Sequence, residues 1–353
     1  MGAGHPKSGH TYRLHRRWMN GVAIPAAMAV LALLVQTAGS QPAPSPKRSS
    51  KIFIEIPRTE SVAVFDFETR RIIKRIDLGS EVESPGGEGP ESAGASSGRY
   101  VYWPRHTGND ISVIDTSDYR VVGRIPLKEK GPGNVTVAPD GHALYIPHYQ
   151  ARALTIFDIK EKKQRVIPLD GFPGDIAVAP RGTLLVTSRD SNQLLAVEEA
   201  TGRIRAVDVG RNPVGVAVTK DGSLAFVSHD TEATVSVINL TKLPLTVAKN
   251  IKVGATGGSA VVAGPDGKTV YVAHCCENSS LTVISVDKLS VMCELSLAPK
   301  GLDPARIVFS PGGGEAFVIN SGSMNVSFFR PPCGEPVAEN LFDQEGGTGG
   351  KGK

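Results

Sequence analysis

The sequence predicts an all-β fold, a seven-bladed β-propeller of four-stranded antiparallel blades. Two observations carry this. A turn glycine returns at Gly98, Gly141, Gly182, Gly222, Gly267 and Gly313, at spacings of 43, 41, 40, 45 and 46 residues. Each interval holds the same run of short β-branched strands. A period of about 40–45 residues with four strands in it is the mark of a propeller blade.

The turn reads "PDG" at 139–141, "PRG" at 180–182, "KDG" at 220–222, "PDG" at 265–267 and "PGG" at 311–313, with "SSG" at 96–98 a degenerate copy. Asp-Gly between two apolar runs is a hairpin signal, because glycine supplies the positive φ of the turn. Ahead of it lies a first strand: "VTVAP" (135–139), "IAVAP" (176–180), "VAVTK" (216–220), "AVVAG" (260–264), "IVFSP" (307–311). After it comes a second: "LYIPH", "LLVTS", "AFVSH", "VYVAH", "AFVIN". A third follows, among them "ISVID" (111–115), "LTIFD" (154–158), "VSVIN" (235–239), "LTVIS" (281–285) and "VSFFR" (326–330). The fourth is "VVGRIPL", "QRVIPL", "IRAVDV" or "MCELSL". Asp115, Asp158, Glu198 and Asn239 close the third strands and read as turn formers.

The chain enters this cycle midway. "KIFIEI" (51–56) matches the second strand, "VAVFD" (62–66) the third and "RIIKRIDLG" (71–79) the fourth. Counting second strands gives seven blades; the alternative is six blades plus an irregular one. One end blade is expected to be open or completed by the other terminus, since a ring of sheets should leave no bare edge.

"FVSHDTEATVSVINL" (226–240) and "RHTGNDISVIDTSDYRVVGRI" (105–125), with the "PDG" turns, resemble the YVTN family of β-propeller repeats. The resemblance covers roughly residues 51–330. It implies the fold and an exported protein, similar in architecture to quinoprotein amine dehydrogenase large subunits and to lactonase-type propellers. It names no reaction, since propellers host unrelated chemistries.

The ends divide from this body by composition. Residues 1–17 carry Lys7, Arg13, Arg16 and Arg17 and no acid, and the apolar run 22–35 and "QTAGSQPAPSP" follow. This order describes a secretory signal, residues 1–40, with cleavage after Ser40. Residues 41–50 read as a disordered linker, 51–335 as the propeller and 336–353 as a flexible Gly-rich tail. The formal charge of +4 is matched by the four leader bases, so the remainder is near neutral. It offers no positive field for nucleic acid or for a membrane surface. Secreted, periplasmic or cell-surface location and a monomeric state are the expectations.

Strand direction sets the candidate site. First strands run to the glycine turn on one face; second strands return to the other. Loops leaving second strands therefore share a face with loops entering first strands, at the mouth of the channel. The residue ending the second strand is Arg105, His148, Ser188, His229, His274 or Asn320 in successive blades, and Ile56 in the first. Five histidines follow the leader, at 106, 142, 148, 229 and 274; three share this position and His106 is one residue past it. Asn134, Asp175, Ser259 and Arg306 enter from the first-strand side. Two readings stand. The polar side chains cap strand ends, one per blade; or Arg105, His106, His148, Asp175, Ser188, His229, His274, Arg306 and Asn320 hold a ligand. A metal would draw on His148, His229, His274, Cys275 and Cys276, and imidazole and thiolate suit zinc or copper.

Four cysteines in an exported chain favour disulfides. Cys293 and Cys333 are expected to pair across the last blades, leaving Cys275 and Cys276 as a vicinal disulfide or a free dithiol. No Gly-x-Ser-x-Gly elbow, phosphate-binding loop, dinucleotide fingerprint or haem attachment motif is visible. The reading reached is a non-catalytic exported propeller binding a protein or small ligand at its mouth, with no cofactor expected. The alternative is an enzyme, lactonase- or lyase-like or a quinoprotein dehydrogenase subunit.

Overall fold

The structure, a computed structural model, describes residues 31–33, 51–56, 61–79, 95–105, 108–276, 279–310 and 312–339. Seven four-stranded antiparallel sheets are present, each wound in chain order from its innermost strand outward. The seven-bladed expectation holds, and the six-bladed alternative falls. In the third blade, Thr136–Val137, Ala143–His148, Ala153–Asp158 and Lys163–Pro168 succeed one another; the fifth follows the same plan from Pro213–Val218 to Thr246–Lys252. His106, the leader, the linker and the extreme tail lie outside the described residues, apart from Leu31–Leu33.

The repeat turns behave as their composition requires. Gly98, Gly141, Gly182, Gly222, Gly267 and Gly313 all have positive φ, between 66° and 78°. At the same end of the second, third and fifth blades the third-strand acid or amide bonds its own turn: Asp115 Oδ1 accepts from Ser117 N, Asp158 Oδ1 from Glu161 N and Asn239 Oδ1 from Thr241 N. These side chains build turns, as the sequence suggested.

Alternation along the strands sends apolar side chains to both faces of every blade. They meet the neighbouring blades in seven clusters, one per junction among the described residues. Tyr145, Leu154, Leu184 and Val186 join the third blade to the fourth. Ile52, Phe65, Phe317 and Phe328 join the first to the last. Burying such a side chain contributes about 1.5–3 kcal/mol, so ring closure rests on packing like any other junction. Phe67 and Phe317 meet edge to face at 4.2 Å across it, and Arg70 pairs with Glu315 at 2.8 Å and Glu339 at 2.9 Å.

The ends depart from expectation in two ways. Each end blade is completed from its own terminus, not from the opposite one. Leu31–Leu33, within the apolar run assigned to the leader, pairs antiparallel with Phe53–Glu55 as the innermost strand of the first blade. Val337–Glu339 pairs with Val326–Phe328 as the outermost strand of the last. The propeller therefore reaches Glu339, four residues into the segment read as tail. An uncovered Asn325–Phe329 edge would leave backbone groups unpaired, which the short strand prevents. Cys293 and Cys333 form the expected disulfide, with Cα atoms 6.3 Å apart, and fasten the segment leading to that strand to the sixth blade.

Candidate ligand-binding face

The strand-end positions do share one face. His148, Ser188, His229, His274 and Asn320 each pair across from the start of their blade's first strand, at Pro132, Pro173, Pro213, Gly258 and Pro304. In four of these five blades the direct partner of the polar strand end is thus a proline.

Their side chains turn into the blades. His148, His229 and His274 are 0%, 1% and 1% exposed. His148 Nε2 lies 2.8 Å from Thr155 Oγ1 and His274 Nε2 lies 2.9 Å from Thr282 Oγ1. His229 has Nδ1 2.9 Å from the Thr234 carbonyl and Nε2 3.4 Å from Ser236 Oγ. Asn320 Nδ2 donates to Ser327 Oγ at 2.9 Å and to Asn325 Oδ1 at 2.8 Å. Each is a polar pin between the second and third strands of one blade. Losing one of these bonds would leave its partner atom buried and unpaired, at about 1–3 kcal/mol.

The third-strand partner was missed in the sequence, although its signal is there. Thr155, Ser236, Thr282 and Ser327 all stand second or third in the third strand. Where the strand end is Ile56 or Ser188, the matching residues are Ala63 and Leu195. Ser188 finds other partners, donating to the Asp170 carbonyl at 2.6 Å and accepting from Ser191 Oγ at 2.6 Å.

Burial sets the protonation of the pins. It pushes His148 and His274 down to about 4, against a weaker opposite pull from the Lys130 and Thr256 backbones. His229 is lowered for the same reason, opposed by the Thr234 backbone and the Glu232 carboxylate. Neutral, buried and bonded inside separate blades, the three rings do not converge. Among the described residues no group of three or more His, Cys, Asp or Glu side chains is placed to hold a metal ion.

The exposed chemistry of the face lies in its loops. Arg105 pairs with Asp110 at 3.0 Å and donates to the Leu78 carbonyl of the preceding blade at 2.9 Å. Arg152 reaches Asp190 at 3.1 Å, Arg189 reaches Asp230 at 3.6 Å and Arg211 reaches Glu232 at 2.8 Å. Two of these, Arg152–Asp190 and Arg189–Asp230, link one blade's loop to the next. On the innermost strands, Asp175 accepts from Asn134 Nδ2 at 3.2 Å and from Val216 N at 3.4 Å, tying three blades. Ser259 donates to the Pro304 carbonyl at 2.6 Å. Arg306, third residue of the strand Pro304–Phe309, differs from the other arginines. Its Nε is shut from solvent without a hydrogen-bond partner, and it has no carboxylate partner among the described residues.

The opposite face carries a cleft of about 560 Å³ between the third and fourth blades. Some of its charged groups already have partners there. His142 lies between Asp140 and Glu199, and Arg165 donates to the Glu199 and Ala200 carbonyls.

No protein-family model matches the sequence, and no curated protein matches it. Solved structures share its fold. A hydrazine synthase from Kuenenia stuttgartiensis aligns at 18% identity over 89% of this chain and 99% of that one, with a TM-score of 0.69. A streptogramin B lyase aligns at 14% over 85% and 93%, with a TM-score of 0.66. A catalytically inactive histidine-to-alanine variant of virginiamycin B lyase from Staphylococcus aureus, with quinupristin, aligns at 16% over 72% and 85%, with a TM-score of 0.62. At these identities the likeness shows the propeller fold alone.

Proposed function

We propose that this chain is an exported propeller of the YVTN-repeat type that binds a carboxylate-bearing protein or small ligand at its mouth, without a reaction centre of its own. The observation that carries the reading is Arg306. The mouth arginines 105, 152, 189 and 211 are neutralised by acids, whereas Arg306, on an innermost strand, has no carboxylate partner among the described residues. A guanidinium offers planar paired donors that match a carboxylate. The strand-end histidines, neutral and enclosed, supply no competing cation. Export is supported by the basic and apolar leader and by the Cys293–Cys333 disulfide, which persists only in an oxidising compartment. Among the described residues no helix is long and apolar enough to cross a membrane.

Ligand-observed NMR against a panel of mono- and dicarboxylates tests the proposal. Reversible binding with unchanged ligand, weakened at least about tenfold by Arg306→Ala, is the expected result. Conversion of a ligand by the protein would favour a second reading. The lyase likeness motivates it: an enzyme acting through a rim histidine, for which His106, outside the described residues, is the candidate because the other strand-end histidines are buried.

A further inference from the structure

Cys275 and Cys276 follow the second strand of the sixth blade, Thr269–His274, on the mouth face. Their Sγ atoms lie 2.9 Å apart. Cys276 is exposed and Cys275 partly buried. Three bonds fix the dipeptide. Cys275 N donates to the Gly257 carbonyl at 2.8 Å, Cys276 N to Asp303 Oδ1 at 2.8 Å, and Ser279 Oγ to the Cys276 carbonyl at 3.4 Å. Cys276 also takes a φ of 66°, a left-handed conformation uncommon outside glycine. The backbone thus holds two adjacent thiols on the same side, at a spot that solvent reaches. The same blade already carries one half of an oxidised pair, Cys293, bonded to Cys333.

We propose that Cys275 and Cys276 are a redox site of the mouth face, a vicinal dithiol that small or protein disulfides oxidise to a second disulfide. This goes beyond carboxylate binding and does not depend on it. The exposed Cys276 meets the oxidant first. Its thiolate attacks one sulfur of the disulfide, forming a mixed disulfide, and the released thiolate takes up the proton that Cys276 gave up. The Cys275 thiolate then attacks Cys276 Sγ, the Cys275–Cys276 bond forms, and the second thiol leaves with the Cys275 proton. The protein loses two electrons and the oxidant becomes two thiols. Burial, the neighbouring thiol and the Asp230 and Asp303 carboxylates all hold the Cys275 thiol up, so attack by the exposed partner precedes it. Oxidation replaces two hydrogen-bonding thiols on this rim by an apolar sulfur pair.

Trypsin isolates the pair, because Lys268 and Lys288 bound a segment that contains no other cysteine. The full-length protein is treated with oxidised glutathione, alkylated with iodoacetamide, digested and examined by mass spectrometry. The expected peptide 269–288 has lost both alkyl adducts and carries no glutathione, and prior reduction restores both adducts. In Cys275→Ser the same treatment leaves glutathione on Cys276, since nothing resolves it. The proposal is overturned if the unmutated peptide keeps both adducts or retains glutathione, or if it is linked to the peptides of Cys293 or Cys333. An unmodified Cys276 in Cys275→Ser overturns it as well.

Discussion

His148 Nε2 and Thr155 Oγ1 are 2.8 Å apart, both fully buried, on neighbouring strands of the third blade. The histidine ends one strand and the threonine stands third in the next. The sixth blade repeats the arrangement with His274 and Thr282, the fifth with His229 and Ser236, and the last with Asn320 and Ser327. A bias that looks like a binding site in the sequence is, in the structure, a hydrogen bond repeated within blades.

Breaking one half of the pin should strand the other. His148→Ala or Thr155→Val is expected to destabilise the protein by about 1–3 kcal/mol in urea unfolding, by leaving a buried polar atom unpaired. The double variant should cost less than the sum of the singles, by about 1 kcal/mol. Strict additivity would show that the two side chains do not bond.

Acid should loosen the ring before it titrates most carboxylates. His148 and His274 have folded pKa values of about 4, below their ordinary 6.5, so the unfolded chain binds protons first. Their contribution is complete above about pH 6.5, drains as the pH falls towards 4, and is gone below that, at about 3 kcal/mol each. His142 works the other way. The Asp140 hydrogen bond raises its pKa, so its small contribution is present in acid and lost as pH rises through its folded value. Urea midpoints at pH 7, 5.5 and 4.5 check this. A midpoint that stays level over this range in the protein, or that still falls as steeply in a His148→Gln, His274→Gln variant, would contradict it.

The disulfide should matter most to the last blade. It closes a separation of 40 residues, and chain entropy gives it roughly 3–4 kcal/mol. With Cys293→Ala and Cys333→Ala together, limited proteolysis should cut first between Arg330 and Glu339. First cleavage elsewhere, or no loss of stability, would show that the strand Val337–Glu339 holds without the bridge.

Processing of the leader bears on the first blade. Cleavage after Ser40 would remove Leu31–Leu33 from beside Phe53–Glu55. Ile52, Ile54 and Phe65 would still pack on Phe317 and Phe328 of the last blade, so a chain beginning at Gln41 should still unfold in one cooperative step. Hydrogen exchange should speed up at residues 53–55 alone. Several separate transitions would mean that the inner strand is part of the ring.

The fold was legible because it repeats. A glycine with positive φ at one phase of the period, alternation on either side and turn-forming Asp or Asn at the close of the third strand all act locally, and each recurs often enough to survive local exceptions. The site was only half legible. Equivalence of His148, His229 and His274 could be read from the period, and so could their common face. Whether each ring turns to the mouth or into its blade depends on the partner across the hairpin, and Thr155, Ser236 and Thr282 sit where any third strand could place a small residue. The arginine–acid links between loops lie in irregular segments with no period to expose them, so Arg306 stands out only when the other arginines are seen to be paired. Completion of the end blades by Leu31–Leu33 and Val337–Glu339 was hidden by composition, since one segment looks like a leader and the other adjoins a glycine-rich tail.

Arg306, and not a strand-end histidine, is the group proposed to meet the ligand at the mouth. The most direct measurement compares, by ligand-observed NMR at pH 7, the binding of one carboxylate from the panel to Arg306→Ala and to His229→Ala under conditions where both remain folded. Arg306→Ala is expected to lose at least about tenfold in affinity, while His229→Ala loses stability and keeps its affinity. Affinity that survives Arg306→Ala and disappears in His229→Ala would contradict it.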